Sequence, residues 1–200
     1  MIKIFYSLIG LLVFSGVSNA QELKFGPKVG ANFSSFSGIK DSKSKTGVYF
    51  GAVAEVKFLG KFSIQPEVLY TVQGAKYSAI SIPTGSVDGE INNHYVSVPI
   101  IFKYKIIGGL GLEVGPKFDF LAKSENKLGS FTKDTKDAFE SFNLGLALGL
   151  GCDLPLGFFI DARYNIGLSK IDKDISIAGI PIEAKNIKND VFQIGVGYKF

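Results

Sequence analysis

Hydrophobic and polar residues alternate along eight segments of the chain, a pattern that predicts β-strands. Each segment has about 10–13 residues, close to the length that a tilted strand needs to cross a lipid bilayer. No segment beyond the N-terminal region approaches the ~20 continuous apolar residues of a membrane-spanning helix. The predicted strands are 23–33, 48–58, 62–74, 95–106, 110–121, 142–153, 158–168 and 191–200.

One parity of every predicted strand is apolar and carries no charge. The opposite parity carries all the charges of the strands, and it also carries glycines such as Gly115, Gly149 and Gly195. The two parities therefore mark two chemically different faces of one sheet. The charged positions are Lys24, Lys28, Glu55, Lys57, Glu67, Lys103, Lys105, Glu113, Lys117, Asp119, Asp153, Asp161, Arg163 and Lys199.

Three observations indicate that the apolar parity faces outward. Glycines suit the narrow interior of an eight-stranded barrel, whereas they would weaken a solvated exterior. The apolar parity is too bulky for one small interior, and it needs no polar partners when it faces lipid. Connections after strands 2, 4 and 6 are short, and the others run about 14 to 22 residues, as in bacterial barrels. The sequence therefore predicts an all-β fold, an eight-stranded antiparallel up-and-down transmembrane β-barrel.

Two features of the chain interrupt this strand pattern. Pro27, Pro66, Pro99 and Pro116 lack the N–H group of a sheet ladder, so we expect local bulges or strand ends there. The apolar stretch 175–182 in the last long connection predicts an extra extracellular hairpin or a contact site.

The first 20 residues have the features of a secretory signal peptide. Lys3 supplies the positive charge, residues 4–17 form an apolar segment too short to span a membrane, and Ser18 and Ala20 provide small residues at the cleavage site. We expect cleavage after Ala20, which divides the chain into a signal peptide, 1–20, and an outer-membrane β-barrel domain, 21–200. The expected location is the cell outer membrane of a Gram-negative bacterium.

Charge and cysteine content exclude several classes of protein. The chain without residues 1–20 has 21 basic and 18 acidic residues, a net charge of +3 that is too mild and scattered for nucleic-acid binding. The single cysteine, Cys152, permits neither a disulfide framework nor a cysteine-based zinc site. We expect Cys152 to be a small buried apolar side chain.

Aromatic residues gather near both ends of the predicted strands, as expected for interfacial belts. Tyr198 and Phe200 lie at one end on the lipid-facing parity, and they resemble the C-terminal insertion signal that the barrel-insertion machinery recognises. The expected periplasmic rim is Phe25, Phe58, Phe62, Tyr104, Phe158, Tyr198 and Phe200. The expected outer rim is Phe33, Phe50, Tyr70, Phe118, Phe120 and Phe142.

Five segments together resemble the PorT-like outer-membrane β-barrel proteins of Bacteroides-type bacteria. The resemblance covers nearly the whole mature chain and implies an integral outer-membrane barrel, but no agreed biochemical activity. The namesake is linked to a gliding and protein-secretion system, a role that does not extend to every member. The candidate partners are outer-membrane lipid, the barrel-insertion machinery and an unidentified surface or secretion-system protein. The segments are 28–33 (KVGANF), 64–70 (IQPEVLY), 95–104 (YVSVPIIFKY), 145–151 (GLALGLG) and 161–168 (DARYNIGL).

Charges inside the predicted barrel form the main candidate site. In a narrow lumen such charges must pair and be hydrogen-bonded. Arg163 is the only arginine, and its planar guanidinium suits two carboxylates at once. We interpret the cluster as structural salt bridges that plug the lumen, and a proton or ion path is the alternative. Its expected members are Glu55, Glu67, Lys103, Glu113, Lys117, Asp161 and Arg163.

The sequence predicts no catalytic, cofactor or metal site. His94 is the only histidine, and no motif places Ser81 or Ser97 beside it as a nucleophile. We therefore expect a non-enzymatic barrel with a structural, assembly or surface-interaction role. The alternatives are a small solute or ion channel, a lipid-modifying outer-membrane enzyme that uses His94, and a soluble lipocalin-like ligand binder. The early Gly-x-Trp signature of the last class is impossible in a chain without tryptophan.

Overall fold

A computed structural model describes residues 22–37, 43–58, 60–82, 85–128, 131–173, 175–177, 180–182 and 187–200. The predicted signal peptide and its cleavage site lie outside these residues. No helix among them has both the length and the hydropathy needed to span a membrane. The strands are β1 (Glu22–Ser37), β2 (Lys43–Phe58), β3 (Phe62–Ile82), β4 (Gly85–Ile107), β5 (Leu110–Leu128), β6 (Phe131–Asp134), β7 (Phe142–Asp153), β8 (Phe158–Gly167), β9 (Ile175–Ile177), β10 (Ile180–Ile182) and β11 (Lys188–Tyr198). Short 3₁₀ helices occupy Lys136–Ala138 and Pro155–Gly157.

Eight of these strands close into an antiparallel barrel, which confirms the predicted fold. Their order is β4-β3-β2-β1-β11-β8-β7-β5, and β5 pairs back onto β4 to close the ring. At the seam between the first and last strands, β1 pairs with β11 along ten residue pairs from Lys28↔Gly197 to Ser37↔Lys188, so each of the eight strands has a neighbour on both sides along the barrel wall. The short strand β6 adds to the end of β5, outside the ring.

The strands are longer than the sequence pattern predicts at one end of the barrel. The predicted connection of about 20 residues after the third strand is wrong, because β3 and β4 continue as a paired ribbon to Ile82 and Gly85. The alternation of apolar and polar residues ends before this ribbon, but the backbone groups of β3 and β4 still pair with each other. We call this the long-strand end, and the opposite end, with turns at Gly60 and Gly108, the short-turn end. Residues 175–182 contain the predicted extra hairpin, formed by β9 and β10.

The four strand prolines do not produce the expected bulges. Pro27 pairs with Ala52 within an unbroken register, and the registers around Pro66, Pro99 and Pro116 are equally constant. Each proline removes one N–H donor from the ladder without displacing the chain. The register shifts lie elsewhere, between Ser44 and Tyr49, Ser78 and Ile80, His94 and Tyr95, and Lys105 and Ile107.

Burial alternates along the walls as the two parities predict. In the middle of the wall, residues on the charged parity such as Glu67 and Arg163 are buried in the interior, whereas Val68 (56% exposed) and Ile194 (50% exposed) lie on the outside. Lys24, Lys57 and Lys105, on the charged parity near the short-turn end, are half-buried or exposed.

Cys152 lies on the outer, apolar parity and is half-buried, so the expectation of a buried thiol is wrong. The small side chain of Cys152 lies between Leu150 and Ile160 on the outer wall. It therefore has protein neighbours on one side only, and its other side faces the surface of the barrel.

Aromatic side chains form a belt at each end of the apolar surface. At the short-turn end the ring centroids of Phe25 and Phe200 are 4.4 Å apart, and those of Phe158 and Tyr198 are 5.1 Å apart. At the long-strand end Phe50 and Tyr70 are 5.5 Å apart, and Phe120 and Phe142 are 5.4 Å apart. This two-ended arrangement fits rings that sit at the boundaries between lipid and water.

Candidate functional site: the barrel interior

Arg163 on β8 is the centre of an ion-pair network in the interior. Its Nε lies 2.5 Å from Oε2 of Glu113, its Nη1 2.8 Å from Oε1 of Glu67, and its Nη2 3.3 Å from Oδ2 of Asp161. All four side chains are 2% exposed or less. One guanidinium therefore satisfies carboxylates from three strands, β3, β5 and β8.

Lysines extend this network in both directions. Lys28 Nζ lies 2.7 Å from Asp161 and 3.3 Å from Glu67. Lys103 Nζ lies 3.3 Å from Glu113 and donates a hydrogen bond to Gln65. Toward the short-turn end Lys199 contacts Glu55 and lies 2.8 Å from Asp153. We call the following set the ion-pair network: Lys28, Glu55, Glu67, Lys103, Glu113, Asp153, Asp161, Arg163 and Lys199.

Glycines on the interior parity make the space that these side chains occupy. A methyl group at Gly195 would overlap the hydroxyl of Tyr49, and one at Gly151 would overlap the carboxylate of Glu113. The same substitution at Gly149 would meet the Arg163 side chain at 2.8 Å. Large and small residues thus face each other across the narrow interior, as barrels of eight strands require.

An uncharged polar layer follows the network toward the long-strand end. Asn32 donates to Thr71 at 2.9 Å, Asn165 to Gln193 at 2.8 Å, and Asn189 to Gln73 at 2.6 Å. Lys117 lies at this level and not in the ion-pair network, because it pairs with Asp119 on its own strand.

A space of about 20 Å³ opens beside Lys117 and Asp119, and Asn143 is also on its wall. This volume suffices for one water molecule. The described residues supply no hydrogen-bond partner for Oδ1 of Asp119 or Oδ1 of Asn143.

Apolar side chains close over the interior at the long-strand end. Phe139 and Ile171 come from the connections around the barrel mouth, and they pack on residues of the barrel wall. These two connections are joined by backbone hydrogen bonds from Glu140 to Ile171 at 2.8 Å and from Lys173 to Ala138 at 3.1 Å. We call the following set the mouth cluster: Phe36, Ala75, Tyr95, Leu121, Phe139 and Ile171.

The one histidine lies on the other side of the wall. His94 Nδ1 is 2.8 Å from the hydroxyl of Tyr70, and His94 Nε2 is 3.8 Å from Glu125. Ser97 is completely buried on the interior parity, so it does not share a face with His94. The side chain of Ser81 lies outside the described residues. Among the residues that are described, no three His, Cys, Asp or Glu side chains group as metal ligands.

Six of the seven side chains expected in the lumen cluster are thus placed in one network, and Lys117 is placed apart. Lys28, Lys199 and Asp153 also belong to this network, although they are not among the expected members of the lumen cluster. The feature of the sequence that could have identified them is that each is a charged residue on the interior parity. Which strands they reach depends on the stagger of the barrel, which a single strand does not encode.

Comparison with known proteins agrees with this architecture. The profile of the family described as "Outer membrane protein beta-barrel domain" matches residues 19–173. The chain belongs to this family. Membership implies that the protein is an integral barrel of the outer membrane. No curated protein matches its sequence.

Two solved structures match the chain along nearly their whole length. The crystal structure of neisserial surface protein A (NspA) has a TM-score of 0.53 and 17% identity, covering 88% of this chain and 97% of that one. The structure of Ail, the attachment invasion locus protein of Yersinia pestis, has a TM-score of 0.48 and 16% identity, covering 90% and 99%. At 17% identity the likeness to NspA concerns the fold alone.

Proposed function

We propose that this protein is a non-enzymatic outer-membrane barrel with a plugged lumen, which has a structural, assembly or surface-interaction role. The observation that supports it best is the contact between Arg163 on β8 and Glu67 on β3. These two strands are separated by β2, β1 and β11 in the ring, so the contact crosses the interior. An open pore along the axis would have to separate this pair.

The energetics of buried charge favour a plug over a path. Leaving one partner of a buried ion pair without its counter-charge typically costs about 3–5 kcal/mol. Arg163 contacts three carboxylates, and two of them also contact Lys28, so a passage through this level would break several contacts together. The mouth cluster supports the same proposal, because it places apolar side chains over the long-strand end.

Conductance of the refolded protein in a planar bilayer tests the plug. We expect no steady single-channel steps in moderate salt, because the Arg163–Glu67 contact crosses the interior and the mouth cluster packs at the long-strand end. A general porin reconstituted in the same bilayers is the positive control. Reproducible steps that scale with the salt concentration would contradict the plug and favour a small channel.

We further propose that the long-strand end faces the exterior. We also propose that the protein binds a partner protein, as its resemblance to the PorT-like proteins implies. The support is the asymmetry of the barrel, with short turns at one end and extended strands at the other. The partner would be a surface or secretion-system protein, and the barrel-insertion machinery would engage Tyr198 and Phe200. Crosslinking from residues 82 and 85, at the tip of the β3–β4 ribbon, in intact cells tests the contact with a partner.

A further inference from the structure

A group of lysines lies on the outward face of the barrel just beyond the apolar surface. The pairing of β3, β4 and β5 places Val72, His94 and Lys123 side by side, and Lys76, Glu90 and Lys127 four residues further on. Residues four apart on a strand share a face. The outward face of the long-strand end is therefore basic, with Lys43, Lys76, Lys123 and Lys127.

Two of these lysines face each other directly. Lys43 pairs with Lys76 across β2 and β3, an arrangement of like charges that destabilises an antiparallel ladder. Both side chains are exposed, and so is Lys127. An anion that bridges the two ammonium groups would relieve this repulsion and stabilise the sheet.

The carboxylates of this face already have partners. Glu90 is 3.7 Å from Lys45, and Glu125 is 2.6 Å from Lys123. Asp134, which lies opposite Glu125, accepts a hydrogen bond from the backbone of Lys136. Within the described part of the chain, Lys43, Lys76 and Lys127 form no ion pair with a carboxylate.

The group stands directly above the aromatic belt. Next below the row of His94 and Lys123 on this face comes a row with Tyr70, Val96 and Phe120 paired side by side. Tyr70 joins the two levels, because its hydroxyl is hydrogen-bonded to His94. A molecule with an apolar chain against the belt and an anionic headgroup above it would meet both surfaces at once.

We propose that Lys43, Lys76 and Lys127 bind the phosphate group of an outer-leaflet glycolipid. Lysine ammonium groups act as point charges for phosphate, and basic residues next to a membrane surface contribute to binding of anionic headgroups. The position on the lipid-facing parity favours a lipid headgroup over a soluble anion. The proposal rests on the proposed function in one respect, which is that the long-strand end faces the exterior.

The test compares two pairs of substitutions in the refolded barrel. K76Q/K127Q removes two of the three unpaired lysines, and K61Q/K105Q is the matched control at the short-turn end, where both lysines are exposed. Binding is titrated in phosphatidylcholine nanodiscs with a phosphorylated glucosamine-disaccharide lipid, its dephosphorylated form, and inorganic phosphate.

We expect the wild-type barrel and K61Q/K105Q to bind the phosphorylated glycolipid equally, and K76Q/K127Q to bind about tenfold more weakly or worse. None of the three proteins should bind the dephosphorylated lipid or inorganic phosphate measurably. Equal binding of both glycolipids, equal loss in both variants, or full binding of inorganic phosphate would overturn the proposal.

Because nanodiscs present glycolipid to both ends of the barrel, this result does not depend on orientation. Labelling of Lys76→Cys in intact cells by a membrane-impermeant thiol reagent tests the orientation separately. Absence of labelling there, with binding unchanged in nanodiscs, would refute the proposed exterior and leave the phosphate site itself in place.

Discussion

Replacement of Arg163 by methionine should lower the free energy of unfolding by about 3–5 kcal/mol. The substitution keeps an unbranched side chain of similar length but leaves Glu67, Glu113 and Asp161 without their shared counter-charge. Lys28, which reaches Glu67 and Asp161, and Lys103, which reaches Glu113, compensate only in part, because two lysines then face three carboxylates. Urea unfolding from lipid vesicles, followed by circular dichroism, measures the loss.

Lys105→Met is the control for Arg163→Met, because Lys105 is an exposed charge of the same predicted parity. It should change stability by less than about 0.5 kcal/mol. Adding Glu113→Gln to Arg163→Met should restore part of the loss, because it removes one of the three carboxylates that Lys28 and Lys103 alone would then neutralise. Equal stability of Arg163→Met and the wild-type protein would contradict the ion-pair account of the lumen.

Removal of Tyr198–Phe200 should abolish stable insertion into the outer membrane. Phe200 and Phe25 exchange two backbone hydrogen bonds, at 3.0 and 3.2 Å, which continue the β1–β11 seam. Lys199 contributes the contacts with Glu55 and Asp153. An unpaired seam in lipid costs several kcal/mol for each unsatisfied backbone group. We expect degraded or aggregated protein in the periplasm, measured by membrane fractionation and immunoblotting.

Single substitutions separate the contributions to this loss. Phe200→Ala keeps the backbone seam and removes one ring, and Lys199→Gln keeps the rings and removes the ion pairs. Phe131→Ala is the control, because that ring is 83% exposed and lies in β6, outside the barrel ring. Normal membrane levels of the truncated protein would contradict both the seam argument and the proposed insertion signal.

The wall of the barrel was predictable because its parity has a simple physical origin. Lipid on one side and a narrow polar interior on the other impose opposite chemistry on successive residues, so Leu148 and Gly149 carry the signal locally. The interior partners were less predictable. Arg163 could be identified as a hub from its guanidinium, but Lys28 and Lys199 reach carboxylates on strands that are not adjacent in sequence.

The long-strand end was the least predictable part of the fold. Residues 75–94 lose the apolar parity, because neither face of the β3–β4 ribbon lies in the apolar wall, so the sequence pattern there predicts a connection and not two strands. The mouth cluster was missed for a related reason. Phe139 and Ile171 come from connections without periodicity, and their burial depends on the way these connections fold over the barrel.

The central claim is that the apolar parity faces lipid while the charged parity faces a closed interior. Thiol labelling along β7 with a lipid-soluble maleimide in proteoliposomes tests it most directly, in a Cys152→Ser background. Single cysteines at Leu146, Leu148 and Leu150 should be labelled rapidly, whereas cysteines at Asn143 and Ala147, which are buried, should stay unlabelled until the protein is unfolded. Rapid labelling at Asn143 and Ala147 with protection at the three leucine positions would contradict the account.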